Sequence, residues 1–148
     1  MSATPLPTTV FALALICQVL LHALVSARPL VSWPWRAAGI FLVAFGLIFN
    51  LIADRQFKRA RTPVSPRDTP AVLVTDGVFA WSRNPMYTGM VVLLLGVAIL
   101  LGTLTPFVVP ALFAWLVARV FIRPEEATLR RAFGEAYERY AKHVRRWM

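Results

Sequence analysis

The sequence has 148 residues, 58% of them hydrophobic, and a mean hydropathy of +0.63, which is well above the composition of soluble domains. Its net charge of +9 would suit a nucleic-acid-binding protein. However, the basic residues lie at the ends of apolar stretches, so we expect contact with a membrane and none with nucleic acid. The single cysteine, Cys17, and two distant histidines, His22 and His143, predict neither a disulfide framework nor a metal site.

The first apolar stretch, residues 5–27, has no charge between Val10 and Ala27 and is long enough to cross a bilayer core of ~30 Å. A signal peptide is the alternative interpretation, and the absence of Lys or Arg before Arg28 argues against it. Gln18 and His22 are four residues apart on one helix face. They either bond to another helix, which we prefer, or line a substrate cleft.

A second apolar stretch covers residues 37–53, and Gly39, Ala44 and Gly46 would let another helix approach it closely. The polar connection that follows, residues 54–83, carries six basic residues and has the length of a functional loop. Its proline-rich middle is expected to be extended.

Residues 85–122 are apolar but too long for one span, and they contain a break at residues 102–106. Pro106 suits the first position of a helix, so we predict a hairpin of two helices, 85–101 and 106–122. The tail, residues 124–144, repeats apolar residues at helical spacing and predicts an amphipathic helix on the membrane surface.

These elements together predict an all-α, polytopic integral membrane protein with about four transmembrane helices and a carboxyl-terminal amphipathic helix. Six basic residues in the second connection and seven in the tail contrast with only Arg28 and Arg36 on the opposite side. The positive-inside rule then puts both termini in the cytoplasm. We expect a single domain over residues 1–148.

Two polar clusters are expected to meet across the predicted hairpin. Asn84 and Pro85 suit the N-cap and first position of a helix, whose positive end would form an anion site together with Arg83. Glu125 and Glu126 follow the next apolar stretch. A tight hairpin would bring these clusters to the same side of the membrane.

At these residues the chain resembles the membrane methyltransferases that include isoprenylcysteine carboxyl methyltransferases and phospholipid methyltransferases. Their signature of Arg-His-Pro-x-Tyr, a Glu pair, Leu and a Phe-Gly-x-x-Tyr tail covers about half of this chain, residues 72–146. It is matched here by Arg83-Asn84-Pro85-Met86-Tyr87, Glu125-Glu126, Leu129, Phe133-Gly134 and Tyr137. Asn84 stands where the family usually has His, and Asn cannot carry charge.

The resemblance implies that S-adenosylmethionine is the cofactor and that the protein transfers its methyl group to a lipid or another small molecule from the membrane. A cofactor site needs partners for an ammonium and a carboxylate as well as aromatic faces near the sulfonium. The cofactor-binding residues expected from the motif and from this chemistry are Val72, Leu73, Val74, Phe79, Arg83, Asn84, Pro85, Met86, Tyr87, Glu125 and Glu126.

In isoprenylcysteine relatives, an arginine four residues before the glutamate contacts the substrate, and here that position is Phe121. Arg119 and Arg123 flank it, and we expect one of them to orient the acceptor as the catalytic arginine. The alternative interpretation is that the Arg119 side chain only extends to the membrane interface and contacts no acceptor. Whether the acceptor atom is O, N or S stays open.

Two other function classes stay open at this point. A membrane reductase of the sterol-reductase type, using NADPH, resembles this family at its carboxyl end, but the chain has no glycine-rich dinucleotide motif. A non-catalytic membrane scaffold is the third possibility. For the methyltransferase, we expect the inner membrane of a bacterium as the location.

Overall fold

The computed structural model describes residues 6–25, 28–60 and 72–148. Its main elements are six α-helices, and no strand is found within these ranges beyond one isolated bridge between Pro29 and Thr103. The helices are α1 (Pro7–Leu24), α2 (Ala38–Arg59), α3 (Pro85–Leu101), α4 (Val108–Val117), α5 (Arg123–Phe133) and α6 (Glu135–His143). The predicted all-α class is therefore confirmed.

Three helical stretches are long and apolar enough to cross a membrane: Pro7–Leu24, Trp35–Arg59 and Thr105–Phe133. The third predicted span, Pro85–Leu101, is apolar but has 17 residues, or roughly 26 Å at 1.5 Å per residue. The four apolar helices agree with the predicted membrane architecture, although only three reach full spanning length.

The boundaries after α3 differ from the prediction. The fourth span does not stop before Arg123, because a π-helical turn, Ala118–Ile122, joins α4 directly to α5. Pro124, which has no N–H to donate, lies in the first turn of α5 directly after this wider turn. The predicted single amphipathic helix is divided into α5 and α6 by Gly134, which has φ of +50°.

Helices α2 and α3 pack antiparallel through two pairs of glycines. A Cβ atom on Gly39 would lie 2.5 Å from the carbonyl oxygen of Gly96, and one on Gly46 would lie 2.5 Å from that of Gly89. Both distances are shorter than any ordinary contact, so the two backbones can approach this closely only because side chains are absent. The close approach predicted for Gly39 and Gly46 is confirmed.

Gln18 and His22 of α1 bond to other parts of the bundle, as preferred from the sequence, although the buried Oε1 of Gln18 has no hydrogen-bond partner among the described residues. Gln18 is fully buried, and its Nε2 donates to the carbonyl oxygens of Leu94 at 2.8 Å and Pro106 at 3.3 Å. Nδ1 of His22 lies 2.8 Å from Oγ1 of Thr103. These bonds connect α1 to α3 and to the segment before α4. The bilayer core has no water to pair with polar groups, so partners within the protein take that role.

Candidate functional site

A cavity of about 230 Å³ lies at one end of the helix bundle, where α1 and α3 begin and α2 ends. Glu125 of α5 closes one side. The residues lining the cavity are Leu6, Pro7, Thr8, Phe57, Phe79, Arg83, Asn84, Pro85, Met86, Tyr87, Met90 and Glu125. Most of these side chains are apolar, and the charged ones come from two segments far apart in sequence, as predicted from the hairpin.

The cavity brings together most, but not all, of the residues predicted to bind a cofactor. Those that line it are Phe79, Arg83, Asn84, Pro85, Met86, Tyr87 and Glu125. Val72 is exposed, Leu73 and Val74 are partly buried, and Glu126 is buried, and none of these four lines the cavity. Residues 61–71 of the predicted functional loop lie outside the described residues.

Glu125 and Tyr87 form the closest polar contact in the cavity wall. The hydroxyl of Tyr87 donates to Oε1 of Glu125 at 2.6 Å. The Tyr87 ring in turn stacks on Phe121, with ring centroids 6.2 Å apart. The first turn of α3 thus orients a carboxylate supplied by α5, and the second oxygen of that carboxylate remains available to a ligand.

Glu126 points away from the cavity even though it follows Glu125 directly. Successive residues on a helix are about 100° apart around its axis, and this rotation buries Glu126 to 2% exposure. Its carboxylate accepts two bonds from Arg146, at 3.1 Å from Nε and 2.6 Å from Nη2. Nη1 of Arg83 lies 3.4 Å from the same carboxylate. Glu126 is therefore the centre of a buried ion network.

Arg83 connects that network to the cavity. Its Nη1 donates to the hydroxyl of Tyr137 at 3.2 Å, while its Nε is buried and has no hydrogen-bond partner among the described residues. Burial, together with the neighbouring negative charge of Glu126, raises the pKa of Tyr137. That hydroxyl stays protonated at neutral pH. The unpaired Nε is costly unless a ligand or water accepts from it.

The start of α3 forms as predicted in position but not in its side-chain bond. Pro85 is the first residue of α3 and Asn84 is the N-cap residue, yet the Asn84 side chain makes no capping bond. Its Nδ2 instead donates to the carbonyl oxygen of Arg146 at 3.1 Å. Oγ of Ser82 accepts from the Asn84 backbone N–H at 3.1 Å. The Asn84 side chain, which was expected to cap α3, therefore bonds to the chain near Arg146.

An aromatic wall stands opposite the start of α3. The rings of Phe57 and Phe79 meet edge to face, with centroids 4.8 Å apart and an interplanar angle of 63°. The carbonyl oxygen of Phe79 accepts from the hydroxyl of Tyr140 at 2.6 Å, and burial raises the pKa of Tyr140, which keeps that donor protonated. The position of Phe79 is therefore set by α2 on one side and α6 on the other.

The two arginines expected to orient an acceptor are not part of the cavity wall. Arg119 and Arg123 are both exposed, and the Arg119 guanidinium lies 5.6 Å from the centroid of the Trp115 ring. Such stacking on an exposed tryptophan is typical of a side chain at a membrane interface. A role for either arginine in orienting an acceptor stays a prediction.

Five lining residues were not predicted from the sequence: Leu6, Pro7, Thr8, Phe57 and Met90. Met90 lies one turn after Met86 in α3, so helical spacing alone could have found it. Phe57 and the start of α1 carry no local signal, because only the packing of α1 and α2 against α3 brings them to the cavity.

Comparison with known proteins identifies the family. Residues 34–136 match the phospholipid methyltransferase family. The chain belongs to this family. The match begins just before α2 and ends in α6, so it includes most of the residues around the cavity.

Several curated relatives carry one name, Protein-S-isoprenylcysteine O-methyltransferase. The protein from Schizosaccharomyces pombe is 39% identical over 80 residues, which are 54% of this chain and 34% of the relative. That from Rattus norvegicus is 34% identical over 112 residues, 73% of this chain and 39% of the relative. That from Mus musculus is 32% identical over 125 residues, 77% of this chain and 44% of the relative. The chain thus spans less than half the length of these relatives.

The predicted resemblance is confirmed by these matches. Together with the apolar helices, they identify a multi-pass integral membrane protein.

Proposed function

We propose that this protein is an S-adenosylmethionine-dependent methyltransferase whose acceptor is a lipid or another small molecule that partitions into the membrane. The observation that carries the proposal is the cavity itself, where the carboxylate of Glu125, bonded to Tyr87, shares one wall with Arg83 and the first turn of α3. The names of the relatives support methyl transfer.

The chemistry of the cavity residues fits this cofactor. Its amino-acid end has an ammonium, for which Glu125 is the partner, and a carboxylate, for which Arg83 and the N-terminal end of α3 are partners. The unpaired Nε of Arg83 can donate a hydrogen bond to the carboxylate of the cofactor. The rings of Phe57, Phe79 and Tyr87 offer faces for adenine and for the sulfonium. When bound, the cofactor supplies an electrophilic methyl group.

The residues of the chain then contribute position and a dry environment to the reaction. Glu125 and Arg83 would hold the polar end of the cofactor, and the apolar lining from Pro7, Met86 and Met90 would exclude water around the methyl group. Methyl transfer needs an in-line approach of the acceptor, so the main effect of these residues is to reduce the entropy lost on reaching that geometry.

The position of the cavity supports an acceptor from the membrane. It lies at the ends of apolar helices, so a polar cofactor can reach it from water and an apolar molecule from the bilayer. We also propose that this end faces the cytoplasm, since α2 ends there with Arg55, Lys58 and Arg59, and the basic helices α5 and α6 are adjacent. Both termini would then be cytoplasmic, in the inner membrane of a bacterium.

The proposal specifies the class of acceptor molecule but does not specify whether the methylated atom is O, N or S. The relatives are named as isoprenylcysteine O-methyltransferases, whereas the position at which the resemblance implies a substrate-contacting arginine is the buried Phe121 here. We therefore propose a lipid-like acceptor without limiting it to prenylcysteine. The relatives are named as methyltransferases, which favours this function over an NADPH-dependent reductase or a scaffold.

Binding and turnover on purified protein in lipid nanodiscs test the proposal. Calorimetric titration with S-adenosylmethionine is expected to show saturable binding, and an equal titration with NADPH is expected to show none. Incubation with methyl-tritiated S-adenosylmethionine and a bacterial lipid extract is then expected to label the organic phase. Binding of NADPH in place of S-adenosylmethionine, or label found only in water-soluble products, would contradict the proposal.

A further inference from the structure

The last five residues of the sequence, residues 144–148, bond to Arg83 and Asn84, which line the cavity, even though the family match ends before them. This stretch, called here the anchor segment, runs beside residues 82–84, called here the cavity turn. The carbonyl oxygen of Arg145 accepts from the Arg83 backbone N–H at 2.9 Å. That of Arg146 accepts from Oγ of Ser82 at 3.3 Å and from Nδ2 of Asn84 at 3.1 Å. Each residue of the cavity turn therefore donates a hydrogen bond to the anchor segment.

Side chains tie the anchor segment down at two further points. Trp147 packs against the apolar core that α3 and α4 form. The Arg146 guanidinium makes a bidentate contact with Glu126, whose side chain is only 3% exposed. A buried carboxylate is strongly destabilising unless cations and donors compensate it. Glu126 therefore depends on Arg146 and Arg83 together.

We propose that Glu126 and Arg146 are positioning residues, which act through the anchor segment to hold the Arg83 guanidinium at the cavity for an anionic ligand group. This inference rests on the proposed function, and it assigns the second glutamate of the pair a role different from that of Glu125. Glu126 and Tyr137 hold Nη1 of Arg83, which leaves the buried Nε as the unpaired donor. Without this hold, the long arginine side chain regains rotamer freedom, which binding must then remove.

The same arrangement explains Asn84 at a position where the family usually has His. Its amide donates to the anchor segment, a task that needs one neutral donor and no titratable group. Asn84 thus helps to fix the cavity turn against the anchor segment, and this role does not require proton transfer.

The test compares Arg146→Gln with Arg139→Gln in the full-length protein in nanodiscs. Arg139 is a matched control because it is an exposed arginine on α6 with only a 3.7 Å contact to Glu135. Two quantities are measured: the Kd for S-adenosylmethionine by calorimetry, and the hydrogen-exchange rate of the Arg83 amide in ligand-free protein. The second readout does not depend on any cofactor.

Arg146→Gln is expected to raise the Kd about tenfold and to accelerate exchange of the Arg83 amide by a similar factor. Arg139→Gln is expected to change neither quantity. Arg146→Lys keeps the charge without the bidentate geometry and is expected to restore most of both values. If Arg146→Gln does not fold, Arg146→Lys tests the inference in its place. It should then show a slightly higher Kd and slightly faster exchange of the Arg83 amide than the wild-type protein, and no change in either quantity would contradict the inference.

Wild-type exchange at Arg83 in a folded Arg146→Gln protein would overturn the inference, and so would a wild-type Kd. A wild-type protein that fails to bind S-adenosylmethionine would instead overturn the proposed function. The exchange rate of the Arg83 amide would still decide whether Arg146 holds the cavity turn.

Discussion

Replacing Glu125 by Gln tests the central contact of the proposed site with little change in shape. The Tyr87 hydroxyl donates to Oε1 of Glu125 at 2.6 Å, and an amide oxygen at the same place can accept that bond. The substitution therefore removes the negative charge while the side-chain volume and the bond to Tyr87 are kept. What is lost is the attraction between a carboxylate and the cofactor's ammonium.

The size of the effect follows from the kind of bond. A hydrogen bond to a charged group contributes about 1.5–3 kcal/mol, so its loss should raise the Kd for S-adenosylmethionine roughly 10- to 150-fold. Stability should not fall in parallel. Burying a neutral amide costs less than burying a carboxylate, so we expect Glu125→Gln to unfold at or above the wild-type temperature.

The assay is calorimetry of S-adenosylmethionine binding in nanodiscs, together with thermal unfolding of each protein. Glu135→Gln is the matched control, since the Glu135 side chain is 95% exposed at the start of α6, outside the cavity. A folded Glu125→Gln protein with wild-type affinity would remove Glu125 from the site. Equal weakening in both variants would show that overall charge, and not this contact, controls affinity.

Three further predictions concern packing, the outer arginine and topology. Gly46→Ala places a Cβ atom 2.5 Å from the carbonyl oxygen of Gly89 and should cost about 1–3 kcal/mol of unfolding free energy. Denaturation in detergent micelles measures this, with the half-exposed Leu47→Ala as control, and equal stability of the two variants would refute the tight packing. Arg119→Ala should keep wild-type affinity for S-adenosylmethionine because Arg119 lies outside the cavity. A large loss of turnover in that variant would support the acceptor role predicted from the sequence, whereas unchanged turnover would remove it. Leu104→Cys, in a protein otherwise free of cysteine, should be labelled by a membrane-impermeant thiol reagent only from the periplasmic side. Labelling from the cytoplasmic side alone would reverse the proposed orientation.

The sequence by itself determined the class of the protein and the location of its first three helices. Apolar runs of bilayer length leave the backbone no partner except itself, so they form helices regardless of their neighbours. Pro85 was identifiable as a helix start because proline lacks the N–H that a first turn leaves unpaired. Gly39 and Gly46 were identifiable as contact positions because glycine has no side chain to keep another backbone away.

The tertiary structure decided which polar residues face the cavity. Glu125 and Glu126 look equivalent in the sequence, and only the approach of Arg146 shows which carboxylate is compensated inside the protein. Asn84 could have capped its own helix, but a carbonyl group 62 residues further along the chain accepts its amide.

The π-helical turn is a further feature that the sequence did not reveal. It adds about one residue to the helix between α4 and α5 and so rotates the following residues by roughly 100° relative to an uninterrupted α-helix. From the sequence, Arg119 or Arg123 was expected to orient the acceptor beside the cofactor, whereas the structure places Arg119 on the exposed surface and Glu125 in the cavity wall. Local patterns specify angles along a regular helix. Long-range contacts and a local change of helix type decide which of those angles points inward.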